Sequence, residues 1–170
     1  MIELLILFEL ANKVLTMYGI SKGILSTFAV LTTPSFGTIK PALNRLVENG
    51  FIKGQKTMSE GGRPSVYYSI TDAGKEELKR LIMEPPLENP VHFLTAARIK
   101  LACSDFLTTS EQKELIKQLK MKTEILLVDT KNMLAQNDFS LCPSLVFNNL
   151  KNEYQNFLTL LEGVQNAGNC

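Results

Sequence analysis

Residues 35–78 read SFGTIKPALNRLVENGFIKGQKTMSEGGRPSVYYSITDAGKEEL, and the order of patterns within them decides the fold. Ile39, Leu43, Leu46 and Val47 recur at i, i+4, i+7 and i+8, the apolar stripe of one helix. At about 100° per residue, the other side of that helix collects Gly37, Thr38, Asn44, Arg45 and Glu48, with Lys40 on the flank. Asn49-Gly50 supplies a left-handed stop. "FIKGQKTM" and "VYYSIT" then read as two strands joined by "SEGGRPS", in which Gly61-Gly62 frees the backbone and Pro64 stiffens the return. In the second strand Val66, Tyr68 and Ile70 share one face, and Tyr67 and Ser69 the other. Thr71 caps a further helix over about 72–83, with Asp72 near its positive end. Pro41 leaves two starts open for the first helix of this stretch. With Ser35 as cap, Pro41 falls in the second turn and deletes the bond to the Gly37 carbonyl; with Thr38 as cap it sits harmlessly in the first turn.

Working outward, residues 2–10 are apolar nearly all round, which suits a buried helix, and Asn12 and Lys13 interrupt them. A second helix is expected over 17–28, with Tyr18, Ile20, Ile24, Leu25 and Phe28 as its apolar positions, before the turn "LTTPS". Downstream, the prolines of "EPPLENP", residues 84–90, mark a boundary between a first domain, 1–84, and a second, 85–170. Beyond it the pattern is helical over about 91–104, 110–136 and 143–165. The last helix carries Phe147, Leu150, Tyr154, Phe157, Leu161 and Val164 at alternating spacings of three and four. That stripe is expected to pair two chains, giving a homodimer; the other reading packs it on its own chain's helices.

With 45% hydrophobic and 21% charged residues among 170, the chain is globular rather than disordered. Residues 2–10 are too short to span a bilayer and contain Glu3 and Glu9. No basic stretch precedes them and no small-residue cleavage site follows, so neither a signal peptide nor a membrane partner is expected. Cys103, Cys142 and Cys170 are odd in number and lack metal or redox spacing, pointing to free thiols in a reducing cytoplasm. The net charge is only +1, so a polyanionic partner must be met by local charge. Residues 34–71 carry that excess: Lys40, Arg45, Lys53, Lys56 and Arg63 against Glu48 and Glu60.

Three helices, a strand, a basic turn, a strand and a helix is the order of a winged helix-turn-helix. The fold class expected is therefore mostly α with a small β-hairpin wing, followed by a helical dimerisation region. A helix fits the major groove when its exposed side bears small and hydrogen-bonding residues that reach base edges. Candidate DNA-binding residues are Ser35, Phe36, Thr38, Lys40, Asn44 and Arg45 on the helix, and Lys56, Gly62, Arg63 and Tyr67 on the hairpin. The bland reading of each is a solvated surface or a strand residue. No glycine-rich phosphate loop, nucleophile elbow or HExxH appears, and the one histidine, His92, reads as a surface or packing residue, so no enzyme, cofactor or metal is expected. A winged helix that contacts protein instead of DNA is the rival; the local basic excess with Arg45 and Arg63 separates the two.

"GTIKPALNRLVENGFI" followed by "GGRPSVYYSITDAGKEEL" resembles the PadR family of bacterial transcriptional regulators, whose motifs run approximately GTIYPALKRLE-x-x-GLI and GRP-x-x-YYxxTxxG. Gly37, Thr38, Ile39, Pro41, Ala42, Leu43, Arg45, Leu46, Gly50, Ile52, Gly62, Arg63, Pro64, Tyr67, Tyr68, Thr71 and Gly74 match in order. Lys40 stands where the family has a tyrosine, and Met17 where a GYEI-type motif has glycine. The resemblance implies a homodimer on a partly palindromic operator, usually a repressor, often released by a small aromatic effector.

Overall fold

The computed structural model describes residues 1–58, 64–86 and 88–167. Two compact units divide the chain, Met1–Glu84 and Pro85–Cys170.

In the first unit the elements are α1 (Ile2–Leu10), β1 (Leu15–Thr16), α2 (Met17–Phe28), α3 (Phe36–Glu48), β2 (Ile52–Met58), β3 (Pro64–Ile70) and α4 (Asp72–Met83). α1 packs against α2, α3, α4 and β3, which explains its composition: a helix surrounded by partners needs apolar residues on every side. Leu4, Leu5, Ile6, Leu7 and Leu10 are all buried, and Phe8 meets Phe28 of α2 edge-on at 5.4 Å. From α2 the core receives Ile20, Ile24 and Phe28, whereas Tyr18 and Leu25, expected to be apolar contacts, are exposed. Glu3 and Glu9 are the exceptions to α1's apolar character, and Glu9 is the one that faces α2. Its carboxylate lies against α2 at Gly23, where a Cβ would overlap Glu9 Oε2, and Oε1 is buried without a hydrogen-bond partner among the described residues.

The sheet has the order β1-β3-β2, all antiparallel. β1 was not expected. It pairs Leu15 with Tyr68 and Thr16 with Tyr67, making β3 the central strand. That position explains why β3 shows no alternation of burial; Ser65 to Ile70 are all half-buried. On its other side β3 pairs with β2 from Ile52↔Ile70 to Met58↔Pro64.

The second unit is helical: α5 (Pro90–Ala102), a single 3-10 turn at Ser104–Phe106, α6 (Thr109–Gln136) and α7 (Leu141–Ala167). Thr108 and Glu111 close a reciprocal capping box at the start of α6. α6 and α7 pack along each other, with Lys120 reaching Glu162 at 3.7 Å. The α7 stripe is filled in part from its own chain. Tyr154, Phe157 and Leu161 are 2%, 2% and 0% exposed, Phe157 meets Phe93 of α5 at 6.4 Å, and Arg98 lies over the Phe157 ring. Phe147, Leu150 and Val164 are half-buried, Phe147 against Phe139. The physical reason is α5, whose buried Phe93, Leu94 and Ile99 supply the third apolar surface that the hairpin needs. No helix of the described residues is long and apolar enough to cross a membrane.

Candidate nucleic-acid interface

α3 is anchored by Ile39, Ala42, Leu43 and Leu46, each at most 1% exposed. Ala42 completes the stripe in place of Val47, which lies at its margin and is exposed. The opposite face is open: Ser35, Phe36, Gly37, Thr38, Lys40, Asn44, Arg45 and Glu48 are all exposed. Ser35 is the N-cap, so Pro41 falls in the second turn. The first turn is tight, since both Thr38 N and Ile39 N donate to the Ser35 carbonyl at 3.0 Å. The Ser35 hydroxyl does not cap a backbone N–H; it meets Thr38 Oγ1 at 3.2 Å instead. The helix thus begins with two exposed hydroxyls side by side, and Pro41 frees the Gly37 carbonyl on the exposed face.

At the other end, Gly50 N donates to Val47 O and Phe51 N to Leu46 O, a Schellman closure made possible by Gly50 at φ 73°. That turn sends the chain directly into β2. β2 is an edge strand, and Lys53 through Met58 are exposed along it. Lys56 is therefore open on the same unit as the α3 polar face. Lysine on an edge strand also discourages strand addition. Neither Lys40 nor Lys56 makes an ion pair with another described residue. Tyr67 is half-buried, held between Thr16 and Gln55 in the ladder. Gly62 and Arg63 lie outside the described residues.

Arg45 is placed differently from the other candidates. Its Nε donates to Glu3 Oε1 of α1 at 2.7 Å, while the side chain stays 53% exposed. The sequence offered no signal for this partner, which stands 42 positions away.

Residues 6–80 match the model of the family described as "Transcriptional regulator PadR-like family". A PadR family transcription regulator from hypervirulent Clostridium difficile is 30% identical to this chain, covering 46% of it and 79% of the other, with a TM-score of 0.41. The chain belongs to the PadR-like family. A transcriptional regulator from Clostridium thermocellum is similar at 31% identity, over 46% of this chain and 75% of its own, with a TM-score of 0.42. Bacillus subtilis PadR in complex with operator DNA aligns over 98% of both chains at 20% identity and a TM-score of 0.45. The same PadR has also been solved in complex with p-coumaric acid, aligning at 20% identity with a TM-score of 0.43 over 99% of this chain and 96% of that one. No curated protein matches the chain.

Proposed function

We propose that this PadR-like chain is a sequence-specific DNA-binding regulator that places the exposed face of α3 in a major groove while the β2–β3 hairpin flanks it on the phosphates. One observation carries the reading. α3 is fixed by a fully buried stripe while Ser35, Thr38, Lys40, Asn44 and Arg45, all able to hydrogen-bond base edges or phosphates, stand exposed on its other side. A helix held rigidly on one side and bearing donors on the other meets the geometric demand of groove reading. The exposed Lys56 supplies the sequence-independent attraction, joined by Arg63, which precedes β3 in the sequence.

The finer parts of the proposal follow from family membership: a homodimer on a partly palindromic operator, repression, and release by a small aromatic effector. The pairing surface we assign is the outward row of α6, not the α7 stripe. Met121, Ile125 and Val128 recur at i, i+4 and i+7 and are each about half exposed, on the side of α6 opposite its buried residues.

The test is selection of duplexes from a random pool by the wild type, with Lys40→Ala/Arg45→Ala/Arg63→Ala as control. Recovery of a two-fold symmetric site by the wild type alone supports the reading. Absence of enrichment at low salt overturns it in favour of a winged helix that contacts protein. Once a site is in hand, a panel of aromatic acids tests for release.

A further inference from the structure

We propose that Glu3 is a positioning residue for DNA selection, acting through Arg45; this rests on the DNA-binding reading of α3 above. Glu3 lies in the first turn of α1, an element that contributes no candidate DNA contact of its own. Its carboxylate engages the arginine at Nε, with an Nε–Oε1 distance of 2.7 Å that marks a short, charge-assisted bond. A guanidinium offers its N–H donors on separate edges. A partner at Nε fixes the plane of the group and leaves the edge formed by the two terminal nitrogens for another acceptor pair, such as guanine O6 and N7.

The burial of the two partners supports that division. The Glu3 side chain is 29% exposed and that of Arg45 53%, so the carboxylate is the more firmly seated partner and the guanidinium the one presented to solvent. Arg80 also lies within Coulombic reach of Glu3, but it is committed to Glu77 through two bonds of 2.7 and 2.8 Å. Glu3 is thus left to serve Arg45. An ion pair this exposed adds little to folding stability, so its main physical consequence is orientation. It has two effects on binding. An arginine already held in place loses less side-chain freedom on reaching a base. A carboxylate beside it also opposes the alternative of swinging onto a phosphate, which would favour all sequences equally. Both effects widen the gap between operator and random DNA.

The experiment compares wild type, Glu3→Gln, Glu3→Asp, Arg45→Ala and Glu3→Gln/Arg45→Ala on the selected operator and on a random duplex, at one fixed salt concentration. Melting curves of each variant establish that it is folded. The expected result is a drop of about tenfold in the operator-to-random ratio for Glu3→Gln. One base position should become degenerate on reselection, Glu3→Asp should restore part of the ratio, and Glu3→Gln should have no effect once Arg45 is alanine. An unchanged ratio overturns the proposal, as does equal tightening on both duplexes, which would make Glu3 a distant repulsive charge only. Persistence of the effect in the Arg45→Ala background does the same. Failure of the wild type to enrich any site instead removes the DNA-binding reading and the proposal with it, so the two failures are told apart by the wild type alone.

Discussion

At Gly74 the chain passes so close to the Phe51 carbonyl that an added Cβ would overlap it, with Ile70 Cγ1 only 2.8 Å from the same point. Backbone cannot yield as a flexible side-chain end does, so Gly74→Ala is expected to cost about 2–3 kcal/mol in urea denaturation. Gly50 is constrained for another reason: open space surrounds it, but its φ of 73° strains any other residue. Gly50→Ala should cost about 1 kcal/mol, less than Gly74→Ala, and the order of the two separates overlap from strain. Both glycines were legible in the motif, and so was the left-handed stop at Gly50, but the reason for Gly74 was not, because a close approach between residues 51 and 74 is tertiary. Glu9 gives a residue-scale test of pH. Burial pushes its carboxyl above the ordinary carboxylate range, and Lys13 pulls it part of the way back. A carboxyl raised in the folded state binds a proton there more readily than in the unfolded chain. Its burial penalty is therefore present at neutral pH and fades as pH falls through the raised value toward the ordinary one. Glu9→Gln should raise the melting temperature at neutral pH, by a free energy of no more than about 1 kcal/mol after screening of its exposed part, and change little at about pH 4.

At the scale of elements, the joint between α3, β2 and α4 passes through one hydroxyl. Thr71 Oγ1 accepts from Gly74 N at 3.0 Å, capping α4, and approaches the Gly50 and Phe51 carbonyls at 2.8 and 3.0 Å as donor. Its own N–H donates to Phe51 O. Thr71→Val keeps the shape and removes both the cap and the donor. It should cost about 1–2 kcal/mol by denaturation, more than a cap that served its helix alone. The cap itself was legible from Thr71 before Asp72, because helix caps are local. So was the hairpin, whose glycines and period-two pattern lie within a few residues of one another. β1 was not, for two residues carry no alternation and Leu15 and Thr16 become a strand only because Tyr67 and Tyr68 lie beside them. The start of α3 was undecidable for a related reason. Ser35 and Thr38 are both competent caps, and in the structure their hydroxyls meet each other, so neither leaves the usual signature. Arg45 was legible as an exposed basic residue of α3, whereas its tie to Glu3 depends on how α1 crosses α3.

For the whole molecule, the heptad spacing of α7 was legible but its partner was not, since a stripe of apolar residues does not say which chain will cover it. Tyr154, Phe157 and Leu161 are already covered by their own unit, and truncating one removes intrachain packing. Tyr154→Ala should therefore lower stability by about 3 kcal/mol and leave any self-association at native conditions to follow folding. The outward α6 row behaves differently. Met121, Ile125 and Val128 are 59%, 49% and 52% exposed, so charges there meet no intrachain neighbour that forbids them. If that row joins two chains, Ile125→Lys/Val128→Lys places four like charges in one symmetric interface, each residue appearing twice about the two-fold axis. Sedimentation should then show a wild-type dimer and a monomeric double variant with unchanged helix content and melting behaviour at high dilution. The variant should bind a half-site as the wild type does at one half and lose the gain from tethering two halves, a factor of about a hundred or more. A double variant that stays dimeric moves the pairing surface elsewhere on the second unit. A wild type that sediments as a monomer at micromolar concentration removes the dimer, and with it the expectation of a symmetric operator.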